Sequence, residues 1–169
     1  MKIFILLSLL ISAQAFALTC EKAEKMGEYL TMNGAKFMDA YKKHKLAGHT
    51  DELRVAVGDV NQARKMAYKF PALEDMGFPP VGKNWEPFIV KMEKSSLKDM
   101  RSGWRYKKPN GDIATVRMDY DPVKGAHYNI DVMKKNPTGK ESYKLSIEFD
   151  CNGKPCTGDQ VKKLAQSMN

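Results

Sequence analysis

The sequence predicts an α+β protein: an N-terminal helical segment, then a four-stranded antiparallel sheet, then a short C-terminal helix. Three observations predict it. Ahead of Pro79-Pro80 the apolar residues recur at helical spacing; from Gly103 they alternate with a period of two; after the last turn a helical period resumes. Helices gathered before strands, rather than interleaved with them, point to α+β rather than α/β.

The first residues stand apart from the fold. Met1-Lys2, the apolar run Ile3 to Ile11 and the ending Ala15-Phe16-Ala17 have the charge, the short apolar stretch and the small-residue end of a secretory signal, cleaved after Ala17. The run is too short to span a bilayer. A lipoprotein signal fits poorly, because Thr19 and Ala17 stand where a small and a leucine-like residue are needed before Cys20. The expectation is a secreted or periplasmic protein with no membrane attachment after signal removal. The remaining 152 residues suit one domain, or one domain with a helical preface.

Residues 18–80 form the expected helical region. Ala23, Met26, Tyr29 and Leu30 mark a first helix, and Phe37, Met38 and Tyr41 a second. A third is expected from the cap Thr50, with Asp51-Glu52 in its first turn and Leu53, Val57, Val60 and Ala63-Arg64 along it. Phe70-Pro71 and Gly77-Phe78-Pro79-Pro80 break the pattern. Residues 81–169 form the basic sheet module. A short helix is expected within 86–101, with Phe88, Ile89, Met92 and Leu97 on its apolar side. Strands follow at Trp104–Lys107, Ile113–Tyr120, Ala126–Met133 and Ser142–Phe149. Asn110-Gly111, Asp121 to Gly125 and Asn136 to Gly139 supply the turns between them. The last helix runs from Gly158-Asp159 to Ser167, with Val161, Leu164 and Ala165 on one side.

The apolar fraction of 43% and charged fraction of 28% exclude collagen-like, disordered and multi-span membrane classes. Removal of Lys2 with the signal takes the basic count from 28 to 27 against 20 acids, a net charge of +7. Residues 18–80 hold 10 basic and 9 acidic side chains, so the surplus lies in the sheet module and favours an anionic partner there. Export permits disulfides. The turn-rich Cys151-Asn-Gly-Lys-Pro-Cys156 favours a bridge between its own ends; the rival ties Cys20 to one of the two. Zinc is a poor reading, since no second ligand pair follows.

Strand parity sorts the faces, because one step along a strand flips the side chain. Ala114, Val116, Met118 and Tyr120 align with Ala126, Tyr128, Ile130 and Val132 and with Tyr143, Leu145, Ile147 and Phe149 to make a core face. Trp104 and Tyr106 join it. The opposite face collects Arg105, Arg117, Asp119, His127, Asn129, Asp131, Lys144 and Glu148. One reading is an ordinary solvated face with cross-strand ion pairs. The other is a metal-free phosphodiester site, which needs an acid, a base and cations for the phosphate. His127 and Glu148 would then transfer protons, and Arg117, Arg105, Lys124 and Lys144 would hold the charge beside Asn129. A lone strand histidine is more often structural, but histidine is the usual proton carrier near neutral pH. Trp85, Trp104 and Tyr106 suit core or rim better than base stacking. A calcium loop at Asp119-Tyr-Asp121 fails, because Val123 stands where a ligand is needed and no Glu closes the loop. Neither a P-loop nor a nucleophile elbow is present. No metal and no cofactor are expected.

The stretch Val116-Arg-Met-Asp-Tyr-Asp-Pro-Val-Lys-Gly-Ala-His-Tyr-Asn-Ile-Asp131 resembles a module at the C-terminal ends of bacterial polymorphic toxins. The pattern there is Arg-x-Asp-x-Asp-Pro-x-Lys-Gly-x-His-x-Asn, then a strand and a short final helix. Gly103-Trp-Arg-Tyr ahead of an Asn-Gly turn is similar too. The resemblance covers roughly residues 102–168, and Arg117, Asp119, Asp121, Lys124, His127 and Asn129 match its motif. Several such toxin ends resemble small ribonucleases of helix-plus-sheet architecture. The resemblance therefore implies RNA as substrate and an immunity protein as a further partner. The chain departs from the pattern in carrying a signal peptide and a helical segment where such toxins carry a long delivery region. A non-enzymatic binding module using the same basic face is the alternative expectation.

Overall fold

The computed structural model describes residues 34–46, 52–92 and 95–167. The expected signal, the first helix around Ala23 to Leu30, Cys20, and the cap at Thr50 lie outside the described residues. In chain order the elements are α1 (Gly34–Leu46), β1 (Leu53–Val57), α2 (Val60–Tyr68), α3 (Pro71–Asp75), β2 (Glu86–Ile89), β3 (Arg101–Lys107), β4 (Ile113–Asp121), β5 (Gly125–Asn136), β6 (Gly139–Cys151), β7 (Lys154–Pro155) and α4 (Gly158–Gln166). The fold is α+β, built on one mixed sheet in the order β1-β6-β5-β4-β3-β2, with β7 paired to β6. Strands β3 to β6 form the expected antiparallel meander, each longer than the alternation alone suggested.

The sheet is not four-stranded, and two expected helices give way to its edges. Leu53 to Val57 is a strand, parallel to β6, where the third helix was expected. Leu-Arg-Val-Ala-Val alternates with a period of two and carries β-branched valines, which suit a pleated surface. The helix starts later, at Val60, because Asp59 caps it: its carboxylate accepts the amides of Asn61 and Gln62 at 2.7 and 3.1 Å. Within 86–101 the expected helix is replaced by β2, antiparallel to β3, and by turns. Pro87 is tolerated there because β2 is an edge strand.

The core follows the predicted parity. Val116, Met118, Tyr128, Ile130, Val132, Leu145 and Ile147 are buried on one face, joined by Val55 and Val57 of β1. Each such side chain contributes roughly 1.5–3 kcal/mol on burial. The helices pack on this side. Phe37 and Tyr41 of α1 meet Tyr143, at 6.2 and 5.5 Å between ring centroids, and Tyr68 of α2 meets Tyr128 at 6.1 Å. Gly158 of α4 lies against the Tyr120 ring. Trp85 is buried in the core, its ring tilted against those of Phe78 and Tyr106. Gly103 permits β3 to cross β4 closely: a Cβ there would fall 2.1 Å from the Val116 carbonyl oxygen.

Cys151 and Cys156 are bridged, with Cα atoms 4.9 Å apart. The bridge closes the β6–β7 hairpin, whose Asn152 and Gly153 both have positive φ, as a tight two-residue hairpin turn requires.

Candidate functional site

The face opposite the described helices is ordered by register into rows. Lys144, Asp131, Thr115, Arg105 and Glu86 are successive cross-strand neighbours in the first. Arg54, Ser146, Asn129, Arg117, Gly103 and Phe88 make the second. Ala56, Glu148, His127 and Asp119 make the third. His127 and Glu148, chosen as proton carriers, are thus directly paired across β5 and β6, and Asp119 flanks His127 on its other side.

The β4–β5 turn aims the histidine. Asp121 accepts the amides of Val123 and Lys124 at 2.7 and 3.0 Å, which closes the turn. Those amides, Lys124 first, together with the Lys124 charge, hold the Asp121 carboxyl below the usual range. Gly125 has φ +80°, and its carbonyl lies 2.9 Å from His127 Nδ1. A carbonyl can only accept, so Nδ1 carries the proton and Nε2 is the nitrogen left for chemistry. His127 is 3% exposed, and its Nε2 makes no hydrogen bond to a described residue.

The charges on this face are largely matched. Arg117 pairs with Asp131 through Nη1 and reaches Asp119 at 3.6 Å through Nε, with its guanidinium carbon 5.3 Å from the Phe88 ring centroid. Glu148 is paired with Arg54. Lys124 stands in the turn, paired with Glu52 rather than in the sheet rows, and lines with Glu148 a cleft of about 330 Å³ at the end of the sheet. Asn129 touches Asp119 at 3.5 Å through Nδ2. Its Oδ1 and the Ser146 hydroxyl beside it are buried with no hydrogen-bond partner among the described residues. Arg105 and Lys144 are exposed and, with Phe88, Thr115, Arg117 and Asp131, line a second cleft of about 300 Å³.

The structure therefore brings His127, Glu148, Arg117 and Asn129 together, sets Arg105 and Lys144 in the adjoining row, and holds Lys124 to one side. Sequence reasoning missed Arg54 and Phe88, because their strands were read as helix. The alternation Leu53-Arg-Val-Ala-Val57 was the available signal for Arg54; Phe88 had none beyond Pro87. Among the described residues no group of three or more His, Cys, Asp or Glu side chains is arranged to hold a metal ion. Neither protein-family models nor curated protein sequences give a match to this chain.

Proposed function

We propose that the protein is an exported, toxin-like ribonuclease that cleaves RNA without a metal. The observation that supports this most is the direct cross-strand pairing of His127 with Glu148, one row from Arg117, on the face opposite the described helices. In the proposed reaction one member of the pair takes the proton of a ribose 2′-hydroxyl as its oxygen attacks phosphorus. The bond from phosphorus to the 5′-oxygen breaks, and the other member gives that oxygen a proton. The products are a 2′,3′-cyclic phosphate and a free 5′-hydroxyl. Arg117, with Lys144 and Lys124, would stabilise the extra negative charge at phosphorus; Arg105 and Asn129 would hold the neighbouring nucleotide. The Cys151–Cys156 bridge suits an oxidising compartment, and no helix of the described residues is long and apolar enough to cross a membrane.

A second reading is favoured by the near-complete burial of His127 and by the saturation of Arg117 by two carboxylates. On this reading the face binds an anionic polymer or a protein and performs no chemistry. Incubation of the purified protein with RNA in EDTA, beside His127→Ala and Glu148→Gln, separates the two. Cleavage by the wild type and its loss in both variants, with circular dichroism unchanged, supports the enzyme. RNA binding that weakens with salt, with no product from folded protein, supports the binding module.

A further inference from the structure

On the helix-bearing side of the sheet two guanidinium groups have no carboxylate partner among the described residues, unlike their counterparts on the other face. Arg64 of α2 and Arg101 at the start of β3 line one cleft of about 280 Å³, with Tyr68, Gly103, Trp104 and Ser167 as the rest of its wall. None of these is acidic, and neither arginine forms an ion pair with a described residue. Arg117, by contrast, is shared by Asp119 and Asp131, and Arg54 holds Glu148.

Both guanidinium groups are steadied by neutral aromatic side chains. Arg64 Nε donates to the Tyr128 hydroxyl at 3.2 Å. Burial pushes that phenol up to about 12, so it orients the arginine without cancelling its charge. The Arg101 guanidinium carbon lies 4.0 Å from the Trp104 ring centroid, a stack that leaves its edge donors available. The two charges converge on Tyr68: burial raises its phenol pKa, while Arg64, a hydrogen bond with Trp104, and Arg101 draw it down. Two like charges held near one another repel, and an anion between them removes that cost.

The geometry points to a phosphate-binding site in this cleft, with Arg64 and Arg101 clasping one phosphate group, free or carried as a monoester. The guanidinium fork matches phosphate oxygens, and the volume is near the lower limit for small-ligand clefts. The site lies on the opposite side of the sheet from His127 and Glu148 and does not depend on the ribonuclease reading.

Titration of the purified protein with inorganic phosphate, and separately with adenosine monophosphate, tests it by calorimetry and by the indole N–H resonances. Saturable binding that shifts Trp104 and spares Trp85 is expected, and the adenosine monophosphate arm tells a free from an esterified source. Arg64→Gln and Arg101→Gln should each weaken it about tenfold or more, as loss of charge-assisted hydrogen bonds does. Lys83→Gln, at an exposed lysine in the turn before β2, should leave it unchanged. If Arg64→Gln fails to fold, Arg64→Lys keeps the charge without the fork and should still bind more weakly. Absence of saturable binding to folded protein overturns the proposal, as does a Trp104 shift reproduced by chloride at equal ionic strength. Met168 and Asn169 follow Ser167 in the chain. Phosphate binding seen only after their deletion would assign the cleft to the residues that follow Ser167 and overturn it equally.

Discussion

Replacing Tyr128 by phenylalanine removes one hydroxyl from the middle of the sheet. The side chain is 0% exposed, and its ring packs on Tyr68 and Phe149 with centroids 6.1 and 5.8 Å away. Phenylalanine keeps the ring, so no large cavity opens. The cost at neutral pH includes the bond donated by Arg64, roughly 2 kcal/mol for a hydrogen bond to a charged group. The pH dependence carries a further signature. Burial raises the Tyr128 pKa from 10.0 to about 12, against the opposing pull of Arg64. The folded protein thus keeps a proton that the unfolded chain releases. The stability this contributes is fully present below about pH 10 and is lost as pH rises through about 12. A two-unit difference amounts to roughly 3 kcal/mol. Urea unfolding of both proteins, repeated from about pH 9 to about pH 11.5, should show the variant's deficit shrinking and then vanishing. Other tyrosines titrate in the same range, but they titrate in both proteins and cancel in the difference. A deficit that stays constant across that range would refute a buried, neutral Tyr128 hydroxyl.

Three further outcomes are expected. Gly103→Ala puts a methyl 2.1 Å from the Val116 carbonyl oxygen and 2.5 Å from Arg117 Cα, backbone atoms that cannot swing aside. Its loss of stability in urea should reach about 2–4 kcal/mol. Replacing Cys151 and Cys156 together by serine opens a small loop and should cost about 2 kcal/mol, with the far-ultraviolet spectrum unchanged. Asp112, 4% exposed, accepts the Lys135 amide at 2.9 Å and Asn110 Nδ2 at 3.1 Å and faces Lys108 at 3.7 Å. Asp112→Asn keeps an acceptor for the Lys135 amide and should cost about 1–2 kcal/mol less than Asp112→Ala. Burial alone would raise the Asp112 carboxyl, but Lys135, Asn110, Lys108 and Lys134 outweigh it and hold it below the usual range. Its contribution is present above about pH 4 and fades below, so wild type and Asp112→Asn should converge in acid.

The meander was legible because the apolar residues of each strand gather on one face, which forces them to alternate with polar ones within β4, β5 and β6. The edges were not. Leu53, Val57 and Val60 are spaced at i, i+4 and i+7, which also suits a helix; the strand is decided by its pairing with β6. Glu86 to Ile89 has four residues, too few to declare a period. The ion pairs across the edge were hidden for the same reason. Arg54 and Glu148 are 94 positions apart, and only the parallel pairing makes them neighbours. Cys151–Cys156 was readable because its ends are close in sequence and joined by a turn, whereas the Arg64–Arg101 cleft joins a helix to a strand with no local pattern.

The hairpin motif from Arg117 to Asn129 has a structural reason at almost every position. Its spacing of two sets Arg117 and Asp119 on the face that also receives His127 and Asn129 from the paired strand. Asp121 closes the turn, and Gly125 supplies both the left-handed backbone and the carbonyl that fixes His127 Nδ1. Arg117 sits between Asp119 and Asp131, so the motif's own charges nearly cancel. Any attraction of an anionic chain to this face would then have to come from outside the motif, from exposed Arg105 and Lys144 in the adjoining row. The motif builds the hairpin and aims the histidine, and the partner that would make that histidine useful, Glu148, comes from the next strand. Proton transfer on this face would accordingly depend on the β5–β6 register, which joins the motif to a residue outside it.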